Sequence, residues 1–411
     1  MRKGILIIGG GLLQIPALIR ARELGYETYL SDLSGSCAAR PFADNFYEID
    51  INNFSETASL AQDLASKSLI SGVYTQGTDA EYTVAYAAAK AGLFGIGPDV
   101  AKKCKNKVLM RQALKDGGVE DVVFESASNY DDCVRAAKKI GYPLYIKPSD
   151  NSASRGITRV INSDKLEEAY LCAKNSLLTE SQVLLEAEMI GSEHSVDCVI
   201  YDGILYPAGI SDRVFLEKEI FAVQTESVTP STLPAELQAR MFQKMTEAAT
   251  AIGLKNGAFK GDLIVDLSGN VRIIEVTART SGGYDSQYRK PLSFGIDIIK
   301  ATIDIAMGKG LDPLDLIPKY VMRSKTYSLM PEPGIIVAIE GLREAQEIPG
   351  VHKIVVTKSI GDEIEEYKDC SIRTNFITIS APTSIELKKI QDTVEQVFII
   401  KTLKNLRTRR V

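Results

Sequence analysis

The sequence is sparing with the residues that most often announce a reactive site. It has two histidines, His194 and His352, and six scattered cysteines, Cys37, Cys104, Cys133, Cys172, Cys198 and Cys370. No two cysteines form a C-x-x-C pair, which argues against structural zinc. No Ser/His/Asp or Cys/His signature of a covalent nucleophile is present. Scattered cysteines in so long a chain fit a reducing, cytoplasmic compartment. No stretch approaches the ~20 apolar residues that a membrane span requires. The opening Met1-Arg-Lys followed by Gly4-Ile-Leu-Ile-Ile-Gly reads as a first strand and is too short for a secretory leader. Positive charge is not in excess either: the formal net charge is −5, which disfavours a sequence-independent nucleic-acid binder. The tail residues Arg407, Arg409 and Arg410 read as a solvated terminus, and repeats and low-complexity segments are missing.

What is present is an ordinary globular composition, 45% apolar and 25% charged, in 411 residues. That length exceeds one hydrophobic core and implies two to four domains. The first hundred residues alternate strand and helix patterns: Ile5–Ile8, Pro16–Leu24, Glu27–Ser31, Ile70–Thr75 and Asp79–Ala91. Such alternation predicts a parallel sheet covered by helices. Helices are then expected at Lys107–Gly117, Asn129–Ile140 and Asp164–Ala173, with strands at Val122–Phe124, at Leu144–Lys147, at Ile157–Ile161 and at Val183–Glu186. Strands His194–Tyr201 and Ile204–Ile210 precede a long amphipathic helix, Pro234–Ile252, and a hairpin, Gly261–Asp266 with Val271–Val276, turned by Leu267-Ser-Gly-Asn270. A helix at Ile296–Met307 and a Pro-rich link lead to a last α+β lobe from Ile335.

Gly9-Gly10-Gly11 partly matches the dinucleotide pattern G-x-G-x-x-G, with Asp32 about twenty residues on where a ribose-binding acid would be. Gln14 stands where the third glycine belongs, so the turn reads as a tight βα connection that binds no nicotinamide.

The second third of the chain carries a more specific order. Lys107 opens a helix and Lys147 ends a strand; a small polar loop, Ser149–Gly156, follows; then come Glu186–Glu193 and, on the hairpin, Asp262 opposite Glu275. Separate cations (Lys107, Lys147, Arg155 or Arg213) suit a triphosphate. A loop of small residues, including Ser154, Arg155 and Gly156, can bring backbone N–H groups to phosphates and close as a lid. Paired carboxylates suit Mg²⁺ or Mn²⁺ shared with those phosphates. Together they point to phosphoryl transfer from ATP. His194 reads as structural or exposed, His352 as surface, and Tyr284 and Tyr288 as either packing or substrate contacts. Ser281-Gly282-Gly283 is either an oxyanion-binding turn or a strand exit.

On these residues the sequence resembles the ATP-grasp superfamily, in its carboxylate–amine ligase branch near carbamoyl-phosphate synthase-like and amino-acid ligase proteins. The segment Gly141-Tyr-Pro-Leu-Tyr-Ile-Lys147-Pro148, the loop Ser149–Gly156, Val183–Asp197 (VLLEAEMIGSEHSVD) and the pair Asp262 and Glu275, thirteen residues apart, carry the likeness over residues 4–310. The resemblance implies a Rossmann-like lobe over 1–105, a two-subdomain ATP-grasp fold over 106–310 and a small α+β lobe over 311–411. It implies that Lys107 and Lys147 contact the α- and β-phosphates, that Glu186 with the backbone of Ala187 and Met189 meets adenine, and that Glu193 holds the ribose. Asp262 and Glu275 would bind magnesium, and Arg279 would lie beside the transferred phosphoryl group, with Arg213 helping to stabilise an acyl phosphate. Thr277 stands where the family usually has Asn, which puts a second metal in question. The implied reaction joins a carboxylate to an amine through an acyl phosphate, releasing ADP and phosphate. Gly341-Leu-Arg-Glu-Ala and Pro349-Gly-Val-His-Lys resemble the trailing domain of amino-acid ligases and tilt the substrates toward amino acids, in a chain that need not be monomeric, such ligases often being homodimers. A biotin carboxylase would carry Gln-Val-Glu-His after Arg279, where this chain has Thr-Ser-Gly-Gly-Tyr. A purine-pathway or carbamoyl-phosphate-type enzyme, an NAD-dependent oxidoreductase and a silent nucleotide-binding regulator stand as alternatives.

Overall fold

The apolar run near the N-terminus becomes the strand Gly4–Ile8, buried along its whole length. In the computed structural model, which describes residues 3–119, 122–216 and 223–404, it pairs in parallel with Glu27–Asp32 on one side and Ile70–Tyr74 on the other, and Asn45–Glu48 adds a fourth parallel strand. Successive side chains of a strand point to opposite faces. Ile5 and Ile7 pack with Ala17, Leu18 and Ala21 of the helix Ile15–Glu23. Leu6 and Ile8 pack with Ala58, Ala61 and Leu64 of the helix Phe54–Ser66 and with Ala87 and Ala88 of Glu81–Lys90. Burial on both faces is why this strand has no polar alternation.

Two compact units are formed. The first comprises Met1–Val122, Met189–Ile210 and Ser231–Tyr320. Besides the parallel sheet it contains the antiparallel strands Ser192–Tyr201, Gly257–Val265 and Val271–Thr277, with Gly257–Val265 in the middle. Their back face meets the helix Ala235–Ile252: Met241, Met245, Ala248 and Ile252 share a core with Val196, Cys198, Phe259, Leu263 and Ile273. Gly261 permits this close approach, because a Cβ there would lie 2.4 Å from Met245 Sδ. With the back face sealed, the side chains of Lys260 and Asp262 must point to the front.

The second unit comprises Val123–Glu188, Ser211–Pro230 and Val321–Val411. It has an antiparallel sheet in the order Phe124–Ala127, Val183–Ala187, Leu144–Pro148, Thr158–Val160, covered by the helices Tyr130–Ile140 and Leu166–Asn175. Its later part pairs Gln224–Thr229, Arg323–Tyr327, Asn375–Ala381 and Val351–Val356 antiparallel. The helix Ser384–Val397 packs there, opened by a reciprocal cap between Thr383 and Glu386.

The mixed α/β and α+β class is the one read from the sequence. Elements that were not include Asn45–Glu48, Phe54–Ser66, Pro98–Lys105, Gln224–Thr229, Lys290–Phe294 and Arg323–Tyr327, the last a strand inside the expected Pro-rich link. The strand expected at Val122–Phe124 starts at Phe124 and runs to Ala127, and the one expected to end at Ile210 continues to Phe215. The basic tail lies outside the described residues.

Candidate active site

The hairpin of the first unit sets its acids by register. Lys260 faces Thr277 and Asp262 faces Glu275, and the pairing slips by one residue immediately afterwards, at a bulge between Asp262 and Leu263. Directly opposed residues share a face, as do residues two apart on one strand, so all four side chains lie on the front. Lys260 Nζ is 2.5 Å from Asp262 Oδ2 and 3.8 Å from Glu275 Oε1. Lys107 Nζ reaches Glu275 Oε2 at 3.3 Å. Two acids are thus matched by two lysines, all of them largely withdrawn from water.

Lys107 arrives there because its helix is anchored. Asn106 accepts hydrogen bonds from the Val108 and Leu109 amides. One turn on, the buried Arg111 donates from Nη1 to Ile273 O at 2.7 Å and from Nη2 to Ile274 O at 3.0 Å, tying the helix to the bulged strand that carries Glu275. Thr277 Oγ1 is buried without a hydrogen-bond partner among the described residues. Asp262, Glu275 and this hydroxyl are hard oxygen donors, a set that fits a magnesium ion sharing its remaining positions with phosphates. Among the described residues no trio of His, Cys, Asp and Glu groups closely enough to form a metal cage made of protein alone.

Arg279, just past the hairpin, donates from Nε and Nη2 to Asp79 Oδ1 at 3.1 and 2.5 Å. Burial opposes its charge, but Asp79 and Glu81 together hold the proton more firmly than in water. Glu81 is itself buried, and burial raises its pKa against the pull of Arg279. Asp79 lies in the loop after the strand Ile70–Tyr74, and Glu81 opens the helix Glu81–Lys90. With Lys260, Arg111, Asp197 and Lys290 they are groups that sequence reasoning passed over.

The Ser281-Gly282-Gly283 turn is pinned to a buried charge cluster. Asp197 Oδ1 accepts from Ser281 Oγ at 2.6 Å and from Ser281 N at 3.3 Å. Lys290 Nζ lies 3.6 Å from both Asp197 Oδ2 and Asp285 Oδ1, and Arg289 pairs with Asp285 at 2.9 Å. The Ser281 amide therefore already has an acceptor. Glu193 belongs to the strand Ser192–Tyr201, opposite Ile264. His194 is buried, its Nε2 2.8 Å from Ser192 Oγ, a structural histidine. Tyr284 and Tyr288 face one another with ring centroids 5.9 Å apart.

In the second unit the strands Leu144–Pro148 and Val183–Ala187 bring Lys147 and Glu186 into a buried ion pair, with the ammonium 5.6 Å from the Tyr145 ring. Ala187 follows Glu186 on the same strand. The polar loop folds onto itself: Ala153 and Ser154 take left-handed backbone angles, and Arg155 donates to Asn151 Oδ1 at 3.0 Å and Ser152 Oγ at 3.1 Å. Cys370 N donates to Ala153 O at 3.1 Å. Gly156 is needed where it stands, since φ is +71° and a Cβ would lie 2.5 Å from the Ser176 side chain. Arg213 Nε donates to Gln224 Oε1 at 3.1 Å, and its guanidinium lies over Phe215. The structure thus groups Lys107 with Asp262 and Glu275, and Lys147 with Glu186; Arg155 and Arg213 are engaged with their own surroundings.

The glycine turn of the first strand is filled from within. Asp32 Oδ2 accepts from Gly10 N at 2.7 Å, and a Cβ on Gly10 would lie 2.4 Å from Cys37 Sγ. The acid that would hold a ribose is spent on the turn itself. Titration with NADH is expected to leave nicotinamide fluorescence unchanged; enhancement that saturates at micromolar chain would contradict this.

Residues 140–287 match the family model of the ATP-grasp domain, and residues 327–399 that of L-amino acid ligase C-terminal domain 2. Alanine–anticapsin ligase of Bacillus subtilis is 24% identical over 331 residues, covering 74% of this chain and 67% of that protein. The L-arginine-specific L-amino acid ligase of Bacillus subtilis is 21% identical over 391 residues, 92% of each. The crystal structure of L-amino acid ligase from Bacillus licheniformis superposes with a TM-score of 0.83 at 21% identity, covering 98% of this chain and all of that one, a likeness of fold. The chain spans 56 to 67% of the length of the first curated relatives it matches. With the hairpin acids, the lysine pairs and both domain matches in place, the chain carries an ATP-grasp domain over residues 140–287, followed by an L-amino acid ligase C-terminal domain over 327–399.

Proposed function

We propose that this protein is an ATP-dependent carboxylate–amine ligase that forms an amide or peptide bond between amino-acid substrates and releases ADP and phosphate. The observation that carries the reading is the opposition of Asp262 and Glu275 on one sealed hairpin, with Lys107 delivered to Glu275 by its own anchored helix. The trailing domain match and the names of the relatives support amino acids as substrates.

Asp262, Glu275 and the Thr277 hydroxyl would hold magnesium, which neutralises phosphate charge when bound. Lys107 and Lys147 would pair with the α- and β-phosphates. Glu186 orients Lys147, and the backbone of Ala187 and Met189 would meet the adenine edge, with Glu193 on the ribose hydroxyls. The loop with Ser154, Arg155 and Gly156 would cover the phosphates; Arg155 would have to leave Asn151 and Ser152 to take part. The substrate carboxylate attacks the γ-phosphorus and ADP leaves. Arg279, kept charged by Asp79 and Glu81, would stabilise the acyl phosphate, as would Arg213. The amine then attacks the carbonyl carbon, loses a proton, and phosphate departs. Most of the rate comes from positioning and charge neutralisation.

The domains would run as 1–105, 106–310 and 311–411. The enzyme would act in the cytoplasm, as a homodimer; among the described residues no helix is long and apolar enough to cross a membrane. Light scattering tests the dimer. The decisive experiment screens pairs of amino acids for phosphate release in the presence of ATP. ADP plus phosphate supports the scheme, whereas AMP plus pyrophosphate would replace it with acyl-adenylate chemistry. Lys147→Ala is expected to raise the Kd for nucleotide by ~10–150-fold, the worth of one charge-assisted hydrogen bond. Isothermal titration with a non-hydrolysable analogue checks it.

A further inference from the structure

We infer that the ammonium of Lys260 is a built-in cation of the acid hairpin, standing where a second divalent ion would bridge Asp262 and Glu275, so that this chain takes one metal per bound nucleotide. The inference rests on the proposed ATP-dependent function.

Its basis is position. Lys260 lies two residues before Asp262 and directly opposite Thr277, on the front face that carries both acids. Its Nζ is within ion-pairing distance of each, 2.5 Å from Asp262 Oδ2 and 3.8 Å from Glu275 Oε1. On the strand at the other side, Lys260 is opposite Asp197, so it fills one row across three strands, flanked by Asp197 and Thr277. An ammonium has three donors and no acceptor, which suits it to join two carboxylates and a phosphate oxygen at once.

The partner residue is short in the way this arrangement requires. Threonine has one hydroxyl, and Thr277 Oγ1 makes no hydrogen bond among the described residues. A longer amide at that position would extend into the space in front of Lys260. The side chains of Lys260 and Asp262 are only 11% and 8% exposed, so the ammonium has no ready route to water. The hairpin cannot roll to release it, because Gly261 is pressed against Met245 on the back. One divalent ion would be held beside Lys260 by Asp262, Glu275 and Thr277; a second would have to displace a paired lysine that is largely withdrawn from water.

The test counts metal directly. Manganese replaces magnesium, a non-hydrolysable ATP analogue supplies the phosphates, and paramagnetic resonance of the free ion gives the number bound per chain. Wild type is expected to hold one ion per nucleotide, and Lys260→Arg, which keeps the charge, also one. Lys260→Met combined with Thr277→Asn is expected to hold two. Lys260→Gln alone is expected to tighten the first ion by ~10-fold, the scale on which a neighbouring group tunes a metal site. Two ions on the wild type overturn the inference while leaving the proposed function intact. So does a folded double variant that still binds one ion with unchanged affinity. A wild type that takes up no nucleotide brings down both.

Discussion

Glu275→Gln should reduce substrate-dependent phosphate release by ~10³–10⁴-fold, equivalent to ~4–6 kcal/mol of transition-state stabilisation, because the metal and the charge balance at the hairpin are lost together. The amide keeps the shape of the side chain but not its charge. Glu275 faces Asp262 across the hairpin and accepts the ammonium of Lys107 at 3.3 Å. In the variant a cation must be held by Asp262, which is already engaged by Lys260 at 2.5 Å. Lys107 loses its ion pair with Glu275. Stability should change far less than activity, since Glu275 retains a quarter of its side-chain exposure and the amide keeps its shape. The measurement is steady-state phosphate release with the best amino-acid pair, alongside a thermal melt. Turnover within tenfold of wild type, with the melt unchanged, would remove the hairpin from the chemistry.

Much of the fold is legible in the sequence, and the limits follow a physical pattern. The hairpin could be read because its turn, Leu267-Ser-Gly-Asn270, is local; the bulge after Asp262, which turns Glu275 to the front and away from the core face of Val271 and Ile273, left no local sign. Lys147 could be read because it ends a strand with Pro148 behind it. Its partner Glu186 was seen as a site residue, yet the pair itself depends on two non-adjacent strands meeting side by side. Lys260 was missed for a related reason. A lysine inside a strand reads as a solvated charge until register and a sealed back face show which way it points. Arg111 lies in a helix among other polar residues, and only its contacts with Ile273 and Ile274, more than 160 positions away, distinguish it. The Asp79–Arg279 pair spans 200 residues and leaves no local trace. The helix Phe54–Ser66 is a different case. Asn53 capping the Glu56 amide, and apolar residues at 58, 61 and 64, are a sufficient local signal that went unread.

The largest loss of stability should come from Lys290→Met. Lys290 is wholly buried and lies 3.6 Å from each of Asp197 and Asp285, while Arg289 pairs with Asp285 at 2.9 Å. Removing the lysine leaves Asp197 as a buried carboxylate without its ion-pair partner, a change that costs ~3–5 kcal/mol in comparable buried pairs. The effect should depend on pH. Burial, and then the proximity of Asp285, already raise the Asp197 pKa, and Lys290 is the main group holding it down. In the variant the folded pKa rises further above the unfolded value. A raised folded pKa gives stability that is full below the unfolded value and is lost as pH climbs through the folded one. The variant should therefore lie closest to wild type near pH 4 and fall behind it as pH approaches neutrality, in melts or urea titrations at matched ionic strength. Asp197→Asn added to Lys290→Met removes one charge of each sign and keeps an oxygen for Ser281. The double variant should be more stable at pH 7 than Lys290→Met alone and should lose the added pH dependence, the non-additivity expected of residues in one network. If the two substitutions simply add, the cluster around Ser281 is held by packing and its charges are incidental.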